Sequence, residues 1–364
     1  MVGSMGVPSD TIEEAMGTAA KHLGDRLFAL PDGEVGVRQM WAPGAAAAAL
    51  KNHPDLLLDG EDFGVKVLQT PLGPLGAYRI KPGVSHVSLD GRFPYADAAI
   101  SSYKHLCEMR DRGEVPSDLR FQVALPSAMP TVAPFFGLPG DWPTMIDAFY
   151  RAMGVEIKRI LEVIPGDELS LSWDYCTEVC EILDAANGRS DVATKLGLTW
   201  IPARSAEETL DEHTMKHYIE PMSAGVPDDV MFGYHICLGT APPNGFPIAP
   251  IEDLTWIVRI ANRLVERTPH RVDFVHLPAM PNAGRDFFAP LANLAIGDAR
   301  VFLGIEQRDG VERLVERGKA AAEFLPSFGI SHFCGYARES ESNLDELMED
   351  LREGADRLGM GSVA

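Results

Sequence analysis

The sequence predicts an α/β protein built as a (β/α)8 TIM barrel. Short runs rich in β-branched and aromatic residues alternate with longer amphipathic stretches, which is the pattern of parallel strands joined by helices. The chain has 364 residues and 46% hydrophobic content, which is enough for one large core or two ordinary ones, and a barrel is the simplest closure of eight such units. A doubly wound sheet is the alternative, but no glycine-rich dinucleotide turn follows the first run.

Each element is predicted from its local pattern. The predicted strands, in chain order, are 26–33, one within 65–80, 120–128, 168–176, 230–239, 272–280, 300–309 and 330–338. Apolar residues spaced three and four apart predict helices over 141–164, 177–186, 251–267, 310–325 and 343–358. We assign residues 1–20 to an N-terminal extension or helix, and residues 21–364 to a single barrel domain that ends in a C-terminal helix.

Charge and cysteine content narrow the class of partner. The formal net charge of −21 argues against nucleic acid and anionic membranes, because both bind basic surfaces. No apolar run approaches the roughly 20 residues that span a bilayer. Five cysteines in so long a chain argue against a disulfide scaffold and for a reducing compartment. We therefore expect a cytoplasmic protein, and its oligomeric state, including a homo-oligomer, stays open.

Polar residues at the ends of the predicted strands are the site candidates, because barrel enzymes place their chemistry there. In chain order they are Asp32, Glu34, Arg38, Ser127, Asp174, Tyr175, His235, Cys237, His276, Glu306, Arg308, His332 and Cys334. Side chains at i and i+2 of a strand share a face. His235 can therefore act together with Cys237, and His332 with Cys334.

The H-x-C of His235 and Cys237 predicts either a metal site or a buried core pair. Thiolate plus imidazole is a zinc ligand set, but an isolated H-x-C is more often core, since cysteine is among the most buried residue types. A second cysteine, Cys334 in "FCGYAR", favours the metal site over the core pair. It lies 97 positions after Cys237, so only the fold can unite the two. Such distant ligands suit a catalytic zinc ion with an open position better than a structural one.

Three segments, "YHICLGT", "LGIEQRDGVERLVER" and "ISHFCGYARES", resemble the catalytic barrel of the cobalamin-independent methionine synthase family. The resemblance covers roughly residues 120–340. It implies a (β/α)8 barrel whose Zn²⁺ activates a thiol for methyl or alkyl transfer, with His235, Cys237 and Cys334 as zinc ligands. The family's glutamate ligand has no counterpart, and His276 lies near its place as a further metal candidate. The fourth ligand stays open between His276, Glu306, His332 and the substrate.

Two departures from the family pattern bear on the substrate. The family's Asp-Glu-Pro reads Asp174-Tyr175-Cys176 here, and its amino-terminal segment reads "ALPDGEVGVR". Both departures argue against homocysteine as the acceptor. The 364 residues leave room for one barrel, so the chain resembles the single-barrel relatives, which include methyl- and epoxyalkane-transferring enzymes that act on small thiols such as coenzyme M. The implied partners are a small-molecule thiol and an alkyl donor.

The remaining strand-end residues supply candidate roles. Alkyl transfer needs an acid that protonates or stabilises the leaving group, and the catalytic candidates are Asp174, Tyr175 and Glu306. The substrate-binding candidates are Asp32, Glu34, Arg38, Ser127, Arg308 and Arg338. The three arginines among them can hold an anionic substrate tail, because guanidinium pairs bidentately with carboxylate or sulfonate.

Two other functions stay open. The first is a metal-free lyase of the uroporphyrinogen-decarboxylase type, which would bind an acidic small molecule through strand-end arginine and aspartate. The second is a non-catalytic ligand-binding barrel in which the cysteines and histidines are remnants, and the missing glutamate ligand supports it. Metal content separates the zinc enzyme from the lyase.

Overall fold

The computed structural model describes residues 11–58, 68–70, 73–187, 204–239, 247–336, 339 and 341–360. Its strands are β1 Ala29–Pro31, β2 Leu56–Leu58, β3 Leu68–Thr70, β4 Gly73–Leu75, β5 Tyr78–Ile80, β6 Arg120–Pro126, β7 Leu169–Tyr175, β8 Met231–Ile236, β9 Phe274–Pro278, β10 Arg300–Glu306 and β11 Gly329–His332. Its helices are α1 Ile12–Leu23, α2 Trp41–Leu50, α3 Tyr95–Asp111, α4 Met129–Val132, α5 Trp142–Leu161, α6 Thr177–Ala186, α7 Ala206–His213, α8 Lys216–Ser223, α9 Thr255–Arg267, α10 Arg285–Phe288, α11 Val311–Ala321 and α12 Glu341–Arg357. Across these ranges, no helix is both long enough and apolar enough to cross a bilayer.

Seven strands form one sheet in the order β1-β6-β7-β8-β9-β10-β11. Every pair in it is parallel, and helices occupy the connections. The order follows the chain, as in a barrel whose strands are added one after another. The predicted α/β class with a TIM-barrel-like arrangement is confirmed, and the five predicted helices match α5, α6, α9, α11 and α12 to within four residues at each end.

The strand expected within residues 65–80 does not join this sheet. β5 pairs antiparallel with β2, and β3 pairs antiparallel with β4, whereas β1 pairs directly with β6. The reason lies in the local sequence "TPLGPLG". Proline cannot donate to a strand ladder, and Gly76 has a positive φ of 73°, so this segment forms short hairpin strands instead of a central strand.

The sheet curls, so that its first strand approaches its late strands across the interior. The ring of Phe28, just before β1, lies 5.5 Å from the ring of Phe274 on β9 and 4.9 Å from that of Phe302 on β10. These aromatic rings form an apolar layer near the amino ends of the strands. The opposite end of the interior is therefore the end at which the polar strand-end residues meet.

β7 shows how alternation divides the two faces of the sheet. On its outer face, Trp173 Nε1 donates to the carbonyl of Met222, and the Tyr175 hydroxyl donates to the carbonyl of His213, at 3.0 and 2.8 Å. Both acceptors lie on the surrounding helices. Asp174, between these two residues, faces the barrel interior because successive side chains of a strand point to opposite faces.

Helices α1 and α12 pack against each other and join the two ends of the described chain. His22 Nε2 lies 2.8 Å from an Asp345 oxygen, and Arg26 lies 2.5 Å from Asp356. Arg352 donates to the His22 carbonyl at 2.9 Å. The contact places the first βα unit beside the last.

Candidate metal centre

Two strands bring an imidazole and two thiols into one cluster. The ligand atoms of His235, Cys237 and Cys334 all lie within 4.8 Å of one another, and the two sulfur atoms are 3.4 Å apart. A disulfide needs about 2.05 Å between sulfurs, so both cysteines are free. His235 and Cys237 are buried, while Cys334 is half-buried. We call these three residues the His/Cys/Cys cluster.

The first two donors are fixed by the sheet. His235 lies in β8, and its neighbour Tyr234 points outward, where its hydroxyl is 2.7 Å from Thr268 Oγ1. Cys237 follows β8 directly, and its N–H donates to the carbonyl of Tyr175 at 3.0 Å. The parallel ladder therefore continues one residue past the strand, which keeps Cys237 on the same inward face as His235.

A second histidine contacts the cluster from β9. His276 is the register partner of His235, and their Nδ1 atoms are 2.5 Å apart. Burial, together with the neighbouring His235, lowers the pKa of His276 well below 6.5, so its ring is neutral at neutral pH. Gly304 makes room for the ring, because a Cβ at that position would lie 3.0 Å from His276 Nε2. His276 thus touches one predicted ligand, whereas the three-residue group does not include it.

The donor set fits a zinc ion. Two zinc-bound thiolates in a tetrahedron lie about 3.8 Å apart, given Zn–S bonds of about 2.3 Å, and the observed separation is 3.4 Å. The Nε2 atom of His235 is buried without a hydrogen-bond partner, although its Nδ1 contacts His276. A buried, unpartnered ring nitrogen beside two thiols has the chemistry of a metal ligand.

A third thiol lies next to the cluster. Hydrogen bonding between neighbouring thiols and burial raise the pKa of Cys176, Cys237 and Cys334 well above 9, and one of those bonds joins Cys176 to Cys237. Cys176 and Cys180 are four residues apart at the start of α6, a spacing that by itself is typical of core packing on one helical face. The structure agrees for Cys180, whose thiol contacts the Leu238 carbonyl at 3.5 Å, but it also places Cys176 at the edge of the cluster.

The three catalytic candidates lie in different surroundings. Asp174 is the register partner of His235 on β7. One of its oxygens has no hydrogen-bond partner, and burial raises its pKa well above 3.8. Glu306 ends β10, with one oxygen 3.3 Å from His332 Nε2, and burial also raises its pKa. Tyr175 lies on the outer face of β7, where its hydroxyl is bonded to the His213 carbonyl, so the structure does not bring it to the cluster.

The substrate-binding candidates after β1 bind one another. Arg38 Nη1 lies 2.8 Å from an Asp32 oxygen, and the Ser102 hydroxyl donates to that carboxylate at 3.1 Å. The backbone N–H of Glu34 donates to Asp32 Oδ1 at 3.1 Å, with Glu34 itself at a φ of 48°. This loop is therefore a buried, internally paired turn at the carboxyl end of β1.

Two of the other three substrate-binding candidates, Ser127 and Arg308, have different partners. The Ser127 hydroxyl donates to Glu178 at 2.8 Å, and the Arg308 guanidinium contacts both oxygens of Glu339. Arg338 lies outside the described residues. Both described arginines among the candidates thus already hold a carboxylate of the chain itself.

Glu178 is a buried acid that is not among the candidates predicted from the sequence. It lies in the first turn of α6, is 3% exposed, and accepts hydrogen bonds from Ser127 Oγ and from the Met129 backbone. Burial raises its pKa to about 7. The available signal was its position three residues after a strand end, but an acidic residue in a first helical turn is also ordinary helix chemistry.

Comparison with known proteins identifies the fold. No protein-family model and no curated protein matches the chain. Chains of solved structures do match it, and two of them are as follows. The first is a B12-independent methionine synthase from Shewanella sp. W3-18-1 in complex with selenomethionine, with a TM-score of 0.56 and 11% identity. The second is a protein from Listeria monocytogenes assigned as a vitamin-B12 independent methionine synthase, with a TM-score of 0.51 and 16% identity. Each comparison covers 95% of this chain and 87% of the other. The chain therefore has a fold similar to that of these B12-independent methionine synthase structures.

Proposed function

We propose that this chain is a zinc-dependent transferase that moves a methyl or alkyl group onto a thiol. The observation that carries the proposal is the convergence of His235, Cys237 and Cys334 within 4.8 Å, from strand ends far apart in sequence. The similar fold of the methionine synthase structures supports it, and so does the free buried Nε2 of His235.

The residues of the cluster would divide the chemistry among them. His235, Cys237 and Cys334 would hold the zinc, and His276 would fix the ring of His235 through Nδ1. When bound, zinc lowers the pKa of a coordinated thiol, so that a substrate thiol is present as the nucleophilic thiolate at neutral pH. Asp174 keeps its proton to higher pH than an ordinary carboxyl group, which suits it to protonate a leaving group.

The thiol acceptor and the donor belong to small-molecule classes. The Shewanella protein was solved with selenomethionine, an amino acid that carries a methyl group on selenium. That ligand supports a methylated chalcogen as the product. Arg38 and Arg308 already hold Asp32 and Glu339, so an anionic tail on the acceptor would have to compete with these carboxylates. We therefore propose a small thiol acceptor without assigning it to homocysteine.

Metal analysis of purified protein tests the proposal. We expect about one zinc per chain in the native protein and loss of zinc in both Cys237→Ser and Cys334→Ser. Cys107→Ser is the matched control, because Cys107 is a half-buried free thiol on α3. Zinc retained in both cluster variants, or absent from native protein purified without chelators, would refute the zinc site.

Product analysis then tests the reaction. Zinc-loaded protein is incubated with a panel of small thiols and with methylfolate, methylcobalamin or an epoxide as donor, and thioether is measured by mass spectrometry. We expect thioether formation by native protein and by Cys107→Ser, but not by Cys237→Ser. Equal rates in all three would show that the cluster has no part in the reaction. The metal-free lyase finds less support, because the two described strand-end arginines are already paired within the chain.

A further inference from the structure

The third cluster residue is held differently from the other two. His235 lies within β8, and Cys237 continues its ladder through Tyr175. Cys334 comes two residues after the end of β11, in an irregular segment. There the Phe333 N–H donates to the Glu306 carbonyl at 3.3 Å. The position of the Cys334 sulfur therefore depends on contacts beyond the regular ladder.

One of those contacts comes from His332. Its Nδ1 lies 2.8 Å from the Cys334 carbonyl oxygen. A carbonyl only accepts, so Nδ1 carries the hydrogen of this bond. The bond spans two residues and closes a tight turn around Cys334. His332 therefore fixes the backbone of a cluster residue through its ring.

The rest of the His332 ring is closely surrounded, although its Nε2 makes no hydrogen bond. Its Nε2 lies 3.3 Å from Glu306 Oε2 and 3.4 Å from Glu339 Oε1. The ring stacks on Tyr336 at a centroid distance of 4.5 Å and an interplanar angle of 24°. Arg308 in turn binds Glu339 through Nε at 2.7 and 2.8 Å. His332 is 2% exposed, and its ring has little freedom to rotate.

Arg308 completes this support in a strained backbone conformation. Its φ is 62°, in the left-handed region that non-glycine residues rarely adopt. In this conformation its N–H donates to Glu306 Oε1 at 2.6 Å, while its guanidinium lies over the Phe333 ring at 4.9 Å. One residue thus contacts both carboxylates beside His332 and the ring next to Cys334.

We propose that His332 is a positioning residue that sets Cys334 for metal binding. Tyr336 stacks on its ring, and Arg308 binds the two carboxylates, Glu306 and Glu339, that lie beside it. The inference rests on the zinc site of the proposed function. It adds to that site a residue that supports one of the ligands and that the H-x-C pattern does not include. The bond from Nδ1 carries the effect, and stacking on Tyr336 keeps the ring in the orientation that this bond needs.

Two substitutions separate the two ring nitrogens. In His332→Asn, the amide nitrogen occupies the place of Nδ1 and can still donate to the Cys334 carbonyl. In His332→Gln, the amide lies one bond farther out, near the place of Nε2, so it can reach the carboxylates but not that carbonyl. Both variants lose the stacked ring, so a general loss of packing affects them alike. Circular dichroism and urea unfolding establish that each is folded.

Zinc affinity is measured by competition with a chromophoric chelator, and cobalt-loaded protein reports thiolate ligation through its sulfur-to-metal charge-transfer band. We expect His332→Gln to bind zinc about 10–100-fold more weakly than native protein, and His332→Asn within about threefold of it. In His332→Gln the band should fall towards the intensity of one thiolate ligand. Equal affinities of the two variants, weak or tight, would overturn the proposal. A native protein that binds no metal would overturn the proposed function together with it, whereas equal variants of a native protein that binds zinc would overturn this inference alone.

Discussion

Replacing Glu178 by glutamine tests the electrostatics of the strand ends. Glu178 is 3% exposed, and its oxygens accept from Ser127 Oγ at 2.8 Å and from Met129 N at 3.4 Å. Burial raises its pKa from 4.5 to about 7. Glutamine has the same shape, and its amide can bond both partners. Glu178→Gln therefore removes the titration while it keeps the contacts.

The sign and size of the effect follow from this pKa. The folded protein binds the Glu178 proton more tightly than the unfolded chain does, so stability is fully present below the unfolded pKa and is lost as pH rises through the folded pKa. The difference between 4.5 and about 7, at about 1.4 kcal/mol per pH unit, corresponds to about 3 kcal/mol. Because the variant does not lose this stability, its unfolding free energy relative to native protein should rise by about 3 kcal/mol from low to neutral pH.

Urea unfolding followed by circular dichroism, from about pH 4 to pH 8, measures this difference. The control is Glu162→Gln, at the end of α5, because that side chain is exposed and meets water in both states. Plotted against pH, the unfolding free energies of native protein and Glu178→Gln should diverge as pH rises, while that of the control follows the native protein. If the Glu178→Gln and native curves stay parallel over this range, the buried carboxyl does not titrate as the structure requires.

Two further predictions concern packing around the site. In Gly304→Ala, the new Cβ would lie 2.7 Å from the Phe333 Cα; we expect a lower unfolding midpoint and weaker zinc binding, and unchanged affinity in the zinc titration would contradict this. In Arg317→Met, the Asp309 carboxylate loses a partner that is 1% exposed, and we expect a loss of about 3 kcal/mol in urea unfolding. Zinc content should stay native there, and a loss below about 1 kcal/mol would show the pair to be weakly coupled to folding.

The late strands and helices were predictable because their signals are local. Helix α6 begins at Thr177 and ends at Ala186, as its apolar spacing indicated, and alternation in β8 placed His235 and Cys237 on one face. The segment within 65–80 was not predictable in the same way. Its proline and glycine residues permit several turns, and the choice of β5 to pair with β2 is made by tertiary contacts that no local period encodes.

The site was predictable only in part, for a related reason. A strand-end rule gathers candidate residues, but it does not reveal their partners. Nothing in the sequence indicates that Arg308 binds Glu339, or that His276 lies 2.5 Å from His235. The partner of each side chain is determined by packing among many elements. The sequence therefore predicts which residues can donate or accept, but not which of them pair.

The contact between α1 and α12 has a consequence for how the chain folds. The polar partners of α1 lie on a helix that is synthesised more than three hundred residues later. Until that helix is made, the first helix lacks the neighbour that joins it to the last unit, and contacts of such long sequence separation form slowly. Incompletely synthesised chains would therefore expose the surface of α1 that α12 covers, and chaperones or other chains could bind it. Because ion pairs stabilise part of the contact between α1 and α12, added salt should weaken that contact before it weakens the sheet.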